Sequence, residues 1–330
     1  MSAQAGEDSG GRSGAVKEKL EQVDQFQQQH KPVGVTVAVV KKFGEDKSTN
    51  LASMIAFWAF FSIFPLLLVF VTLMGFFLPP SNKDQVLHRV ASMFPMLDPS
   101  TIGGLHGSWW ALIIGIASAI WSGSSVVRTT QFAFNSVWEI PIKEQPKLLE
   151  QVTRSLVVLA TLGVGLVIST LITGYISGTA NVLHIGWFGH IVGYVIAIAL
   201  DVALFLIAFR WLTDRDVSFR DVLPGALLSG VAFWILQSIS SLIISRYLQN
   251  AQGTYGNFAT VITILWWFYI QSIITLFGAQ LNVVLRERLH PRGLVDPPDT
   301  EADHRAYDKY AKERTYHDEE RVETEFRDEH

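Results

Sequence analysis

The chain has 330 residues, 49% of them hydrophobic and only 17% charged, against about 25% charged in an average soluble domain. Its net charge is −4, and residues 301–330 alone hold eleven Asp or Glu against six Lys or Arg, which leaves the rest near neutrality. No basic face is available for nucleic acid, and the absence of cysteine excludes disulfides, thiolate nucleophiles, Cys-ligated zinc and iron–sulfur clusters.

Residues 1–31 read as a polar N-terminal segment, disordered over the Ser-, Gly- and Ala-rich residues 1–16. Met1 to His30 contains no apolar core and so no secretory signal peptide. From Pro32, the residues Val33, Val37, Val40 and Phe43 recur at helical spacing beside Lys41 and Lys42. That pattern predicts a helix lying in the inner membrane interface.

A membrane helix needs about 20 mostly apolar residues to cross about 30 Å of hydrocarbon. Six segments meet that requirement, at about 51–78, 109–127, 155–177, 187–209, 222–245 and 258–285. The fold class is therefore an all-α, polytopic membrane protein with six transmembrane helices, an interfacial N-terminal helix and a membrane domain over 32–290. A charged tail follows at 291–330, with Pro297 and Pro298 separating it from the last span. It shows no apolar face long enough to dock.

Lys and Arg set the orientation. With the N-terminus cytoplasmic, the inner segments 31–50, 128–154, 210–222 and 286–300 hold fourteen of them. The outer segments 79–108, 178–186 and 246–257 hold three. Both termini are accordingly expected on the cytoplasmic side.

Small-residue pairs such as Gly115 with Ala119, Gly174 with Gly178, Gly189 with Gly193, and Ala226 with Gly230 mark faces where helix backbones can approach closely. The nine histidines form no HxxxH, HxH or HExxH pattern, and no GxSxG, P-loop or GxGxxG occurs. No metal site, cofactor or enzymatic chemistry is expected.

Asp201 stands out. It lies nine residues before Arg210, about 13 Å above the inner boundary at 1.5 Å per residue. An acidic side chain near the midplane costs on the order of 2.5–3.5 kcal/mol on insertion scales and must face the bundle interior. Gln237, Gln271, Ser169 and Thr170 fall near the same depth by counting, and Pro65 is expected to break the first helix near its centre. A polar midplane cluster beside a broken helix suits a transport site, and equally a polar packing seam.

The strings FFSIFPLLL at 60–68 and WSGSSVVRTTQFAFNSVW at 121–138, with Arg128, Asn135 and Trp138, resemble the YihY/virulence factor BrkB family of bacterial inner-membrane proteins. FRWLTDRDVSFRDVLPGA at 209–226, Tyr255–Gly256, ILWWFY at 264–269 and FGAQLN at 277–282, with Gly278, extend the resemblance over most of residues 45–285. Thr213 stands where the family usually has proline, and Gln280 where it commonly has glutamate. The resemblance implies a multi-pass inner-membrane location. Some members carry a ribonuclease label, which this chain does not support for want of a metal-ligand cluster or basic RNA face.

Two readings of function stand. One is a transporter or permease for a small solute, ion or lipid-like molecule, with Asp201, Gln237 and Gln271 lining the site. The other is a non-transporting scaffold that uses its small-residue faces and tail for self-association or for binding other envelope proteins. The lipid bilayer is a partner in both.

Overall fold

The protein is described from a computed structural model, which covers residues 24–77, 109–147, 150–161, 163–165, 186–239, 258–294 and 300–326. These residues are helical or irregular, with no strand among them. After a short helix over 24–29 come α1 (Lys31–Glu45), α2 (Ser48–Phe77), α3 (Trp109–Val137), α4 (150–161), α5 (Gly186–Trp211), α6 (Phe219–Ser238), α7 (Phe258–Arg286) and α8 (Glu301–Glu313).

Five of these helices are long and apolar enough to cross a membrane: α2, α3, α5, α6 and α7. The expected span at 155–177 is helical over 155–161 and 163–165, and its remainder lies outside the described residues. So do the N-terminal residues 1–23, the outer segment 79–108, Gly174, Gly178, Ser169, Thr170, Tyr255 and Gly256. Ile113, Ile114, Trp121, Val157 and Val195 are exposed on the helices, as lipid-facing side chains are. Buried apolar side chains in the bundle include Phe134, Phe209, Leu276 and Val283.

Lipid tails are as apolar as leucine, so helix association rests on close packing and polar contacts. α6 and α7 meet backbone to backbone: a Cβ placed on Gly225 would lie 2.1 Å from the Gly278 carbonyl oxygen. The Gly225 N–H donates to Asn282 Oδ1 at 2.6 Å, and Ser229 Oγ donates to the Ile274 carbonyl at 3.1 Å. A Cβ on Gly230 would lie 2.9 Å from the main-chain nitrogen of Val202 on α5. On the other side, Gly115 of α3 receives Leu68 and Val69 of α2. The small residues at 115, 226 and 230 are packing positions.

α3 continues nine residues past Arg128, where the expected crossing ends, because a helix need not stop where it leaves hydrocarbon. Two expectations are corrected. Pro65 does not break α2, which runs unbroken through it. The proline nitrogen cannot donate to the Phe61 carbonyl, but the neighbouring turns keep their helical form. The tail does dock: α8 buries Ala302, Asp303 and Ala306, chiefly through polar contacts.

α1 packs on the bundle through a face that overlaps the apolar stripe only at Phe43. Gly34, Ala38, Val39, Lys42 and Phe43 are buried, and Val40 is exposed. Phe43 stacks on Phe277 of α7 with ring centroids 4.1 Å apart.

Candidate functional site

Among the described residues, no two members of the expected midplane cluster are bonded to each other. Asp201 is half-buried on α5, in line with Ile198 and Phe205, which pack against the core. Its carboxylate makes no hydrogen bond or ion pair among the described residues. Gln271 is half-buried on α7, its carbonyl accepting from Thr275 Oγ1 at 2.8 Å, and no side-chain bond joins it to Asp201. Gln237, expected near the middle of a span over 222–245, is instead the next-to-last residue of α6 and is exposed.

A crevice of about 510 Å³ opens between α2, α3 and the α4 segment. Ser62 and Leu66 flank Pro65 on one wall, Ala119, Ile120, Gly123 and Val127 of α3 form another, and Leu159 and Gly163 close it. Small residues make the space: a Cβ on Gly123 would meet Leu159 Cδ2 at 2.9 Å. The volume falls within the roughly 300–1,000 Å³ of small-molecule sites, and the lining is almost wholly apolar.

A polar seam continues down α3 from the crevice. Arg128 donates to Ser125 Oγ at 3.1 Å, forms no ion pair among the described residues, and has its Nε buried without a partner. Gln131 is 3% exposed, and neither its amide oxygen nor its amide nitrogen has a partner. Lower still, Asn135 donates to Asp214 Oδ2 at 2.6 Å and accepts from the Asp214 N–H at 3.1 Å. Arg154 pairs with the same carboxylate and donates to the Thr213 carbonyl at 3.1 Å. Thr213 is buried, its hydroxyl donating to the Phe209 carbonyl at 2.8 Å, a bond a proline there could not make. This network borders a second, open cavity of about 740 Å³ whose lining includes Glu144, Glu150, Arg154, Arg210, Arg215 and Asp216.

A third station lies where α1, α2, α3, α7 and α8 converge. Lys42 is fully buried and pairs with Asp46, at 2.9 Å, and with Glu139. Glu139 caps α3 in a left-handed conformation, φ 47°, with the Glu139 N–H on the Ser136 carbonyl and the Ile140 N–H on the Asn135 carbonyl. Glycine normally takes that position. The fully buried Gln280 donates to Asp46 Oδ2 at 2.6 Å and to Ser48 Oγ at 3.0 Å. A glutamate there could donate only in its protonated form.

Burial pushes the Glu139 carboxyl up to about 7; Lys42 pulls it down, and Asp46 raises it. Burial also opposes the Lys42 charge, but Glu139 and Asp46 outweigh it and hold the ammonium above its ordinary pKa. Tyr310 of α8 lies under Lys42, its ring centroid 5.1 Å from Nζ, and donates its hydroxyl to Glu45 at 3.1 Å.

α8 is fastened by Arg292, which is buried between Glu45, at 2.9 Å, and Asp303, at 2.5 Å. Asp303 also accepts from Lys41, Thr300 and the Gly293 N–H. Burial works against this carboxylate, but its donors prevail and hold its pKa below the usual range. No group of three or more His, Cys, Asp or Glu placed to hold a metal occurs among the described residues.

Residues 39–303 match the model of the virulence factor BrkB family. The chain belongs to this family. Its BrkB-family relatives include the ribonuclease-like protein YfkH of Bacillus subtilis, 24% identical over 272 residues, with 74% of this chain and 91% of YfkH aligned. A UPF0761 membrane protein of Pseudoalteromonas translucida is 24% identical over 78% of this chain and 87% of its own length. A UPF0761 membrane protein of Pseudomonas paraeruginosa is 25% identical, and the alignment spans 60% of that protein. No solved structure matches. The family and the apolar helices together make this BrkB-family chain a multi-pass integral membrane protein. Arg128, Gln131 and Gln280 lie in strings the sequence flags, but Lys42 and Glu139 had no motif to mark them.

Proposed function

We propose that this protein is a permease-type transporter in the bacterial inner membrane, with both termini cytoplasmic, and that its cargo is lipid-like. The crevice beside Pro65 carries this reading. It lies among membrane-spanning helices, its walls are apolar, and its volume of about 510 Å³ suits a small molecule or an acyl chain. A scaffold has no need of such a space. The α4 segment lines both this crevice, through Leu159 and Gly163, and the charged inner cavity, through Arg154 and Val157. An apolar chamber and a polar mouth therefore share one helix, which suits a molecule with a head and a tail. Asp201 is the candidate coupling group.

The reading includes no enzymatic activity, despite the ribonuclease-like name of one relative. Its test is transbilayer movement of fluorescent amphiphiles in liposomes containing the purified protein. Wild-type protein is expected to accelerate movement over protein-free liposomes, Ala119→Phe to abolish the acceleration by filling the crevice, and Asp201→Asn to reduce it. Equal rates with wild type and Ala119→Phe would refute the reading. So would RNA cleavage that survives purification and is lost on a point substitution in this chain.

A further inference from the structure

α3 carries the crevice wall down to two unsatisfied polar side chains. Ile116, Ile120, Gly123 and Val127 line the crevice at intervals of four, three and four residues. Gln131 is the next member of that stripe, four residues beyond Val127, and Arg128 is its neighbour at i−3. Gln131 is 3% exposed with both amide atoms unpartnered. A buried amide in that state is unfavourable unless something else satisfies it. Arg128 has a serine as its hydrogen-bond partner, a buried Nε without one, and no carboxylate among the described residues.

Such a pair offers several N–H donors and a positive charge with no carboxylate paired to it among the described residues, which match a phosphate or carboxylate group; the amide oxygen can accept from a headgroup hydroxyl. The depth is also informative. Arg128 lies nineteen residues after Trp109, or about 29 Å along the helix, close to one hydrocarbon thickness. Lipid headgroups lie at that level.

We propose that Arg128 and Gln131 bind the headgroup of an anionic phospholipid whose acyl chain enters the crevice above them. The proposal rests on the crevice reading of the previous section and adds the charge of the ligand. Asn135 and Asp214, satisfied by each other and by Arg154, bound the site on its inner side.

The test is native mass spectrometry of the purified full-length protein in detergent, with phosphatidylglycerol and phosphatidylcholine of identical chains. Wild type should retain phosphatidylglycerol about tenfold over phosphatidylcholine. Arg128→Gln should lose that preference yet still take up either lipid weakly, and Arg128→Lys should recover part of it. Gln131→Leu should weaken retention of phosphatidylglycerol while raising the melting temperature of the lipid-free protein, since it removes two unsatisfied buried atoms.

Equal retention of both lipids by wild type would overturn the headgroup assignment while leaving the crevice reading intact. Unchanged retention in Ala119→Phe would overturn the crevice reading itself. Inorganic phosphate that displaces phosphatidylglycerol at equal concentration would show a free-anion site and overturn the amphiphile. If Arg128→Gln fails to fold, the Gln131→Leu pair of measurements decides: a lowered melting temperature with unchanged lipid retention overturns the proposal.

Discussion

Lys42 and Glu139 lie 97 residues apart in the chain and meet as an ion pair in which neither side chain is exposed. Burial leaves Glu139 with a pKa raised from 4.5 to about 7. The folded chain therefore holds a proton that the unfolded chain has released between about pH 4.5 and 7. The contribution of this group to stability falls as pH rises through that window and is level above it. Thermal unfolding in detergent from about pH 5 to pH 8 should show this decline. Glu139→Gln should flatten it, and an unchanged slope in that variant would contradict the assignment.

Asp303 holds α8 in place through Arg292, Lys41, Thr300 and the Gly293 N–H. Asp303→Ala leaves the buried Arg292 short of one carboxylate and should destabilise the protein by about 3–5 kcal/mol, the range for breaking a buried pair. Truncation after Asp296 should still insert, because insertion follows from the apolar spans, but should melt well below the full chain. Equal melting temperatures for the truncated and full-length proteins would show that the docking adds nothing.

Two glycines separate packing from propensity. A Cβ on Gly278 would lie 2.0 Å from Ser229 Oγ and 2.7 Å from the Gly225 carbonyl oxygen. Gly278→Ala must push α6 and α7 apart, and a loss of about 1–3 kcal/mol or more is expected from overpacking. Gly44, near the end of α1, has nothing within 4 Å of its Cβ position. Gly44→Ala should be neutral or stabilising by up to about 1 kcal/mol. Chemical denaturation of both variants checks the contrast.

The cysteine-free chain makes its topology easy to read. Single cysteines at Ser100, Asn181 or Asn250 should react with an impermeant maleimide from outside spheroplasts, and one at Ser218 should not. The reverse pattern would invert the orientation given by Lys and Arg.

The spans were legible because charge-free runs of this length have few alternatives. The helix ends are less so. Arg128 marks a charge boundary, yet α3 runs nine residues past it. At the outer end of the fifth span the sequence stays apolar toward 245, but α6 ends at Ser238. The docking of α8 escaped hydrophobic periodicity because Asp303, Tyr307 and Tyr310 provide most of its polar contacts with the rest of the protein. Nothing local announces that Lys42 will find Glu139. The nearest clue is a glutamate at a helix terminus where glycine would be easier, and that becomes visible only with the backbone in view.

The contact between Gly225 and Gly278 also limits how the bundle can rearrange. Each backbone occupies the space a side chain would need on the other, and Asn282 Oδ1 of α7 accepts from the Gly225 N–H beside them. Sliding by a residue in either direction would bring Pro224 or Ala226 against Gly278, and rotation would break the Asn282 bond. α6 and α7 must therefore travel as one body, and α5, seated on Gly230, travels with them. The crevice lies outside this block, between α2, α3 and the α4 segment, where Gly115 and Gly123 face the side chains of Leu68, Val69 and Leu159. Any widening of the path has its play there, while the α6–α7 crossing stays fixed like a riveted joint.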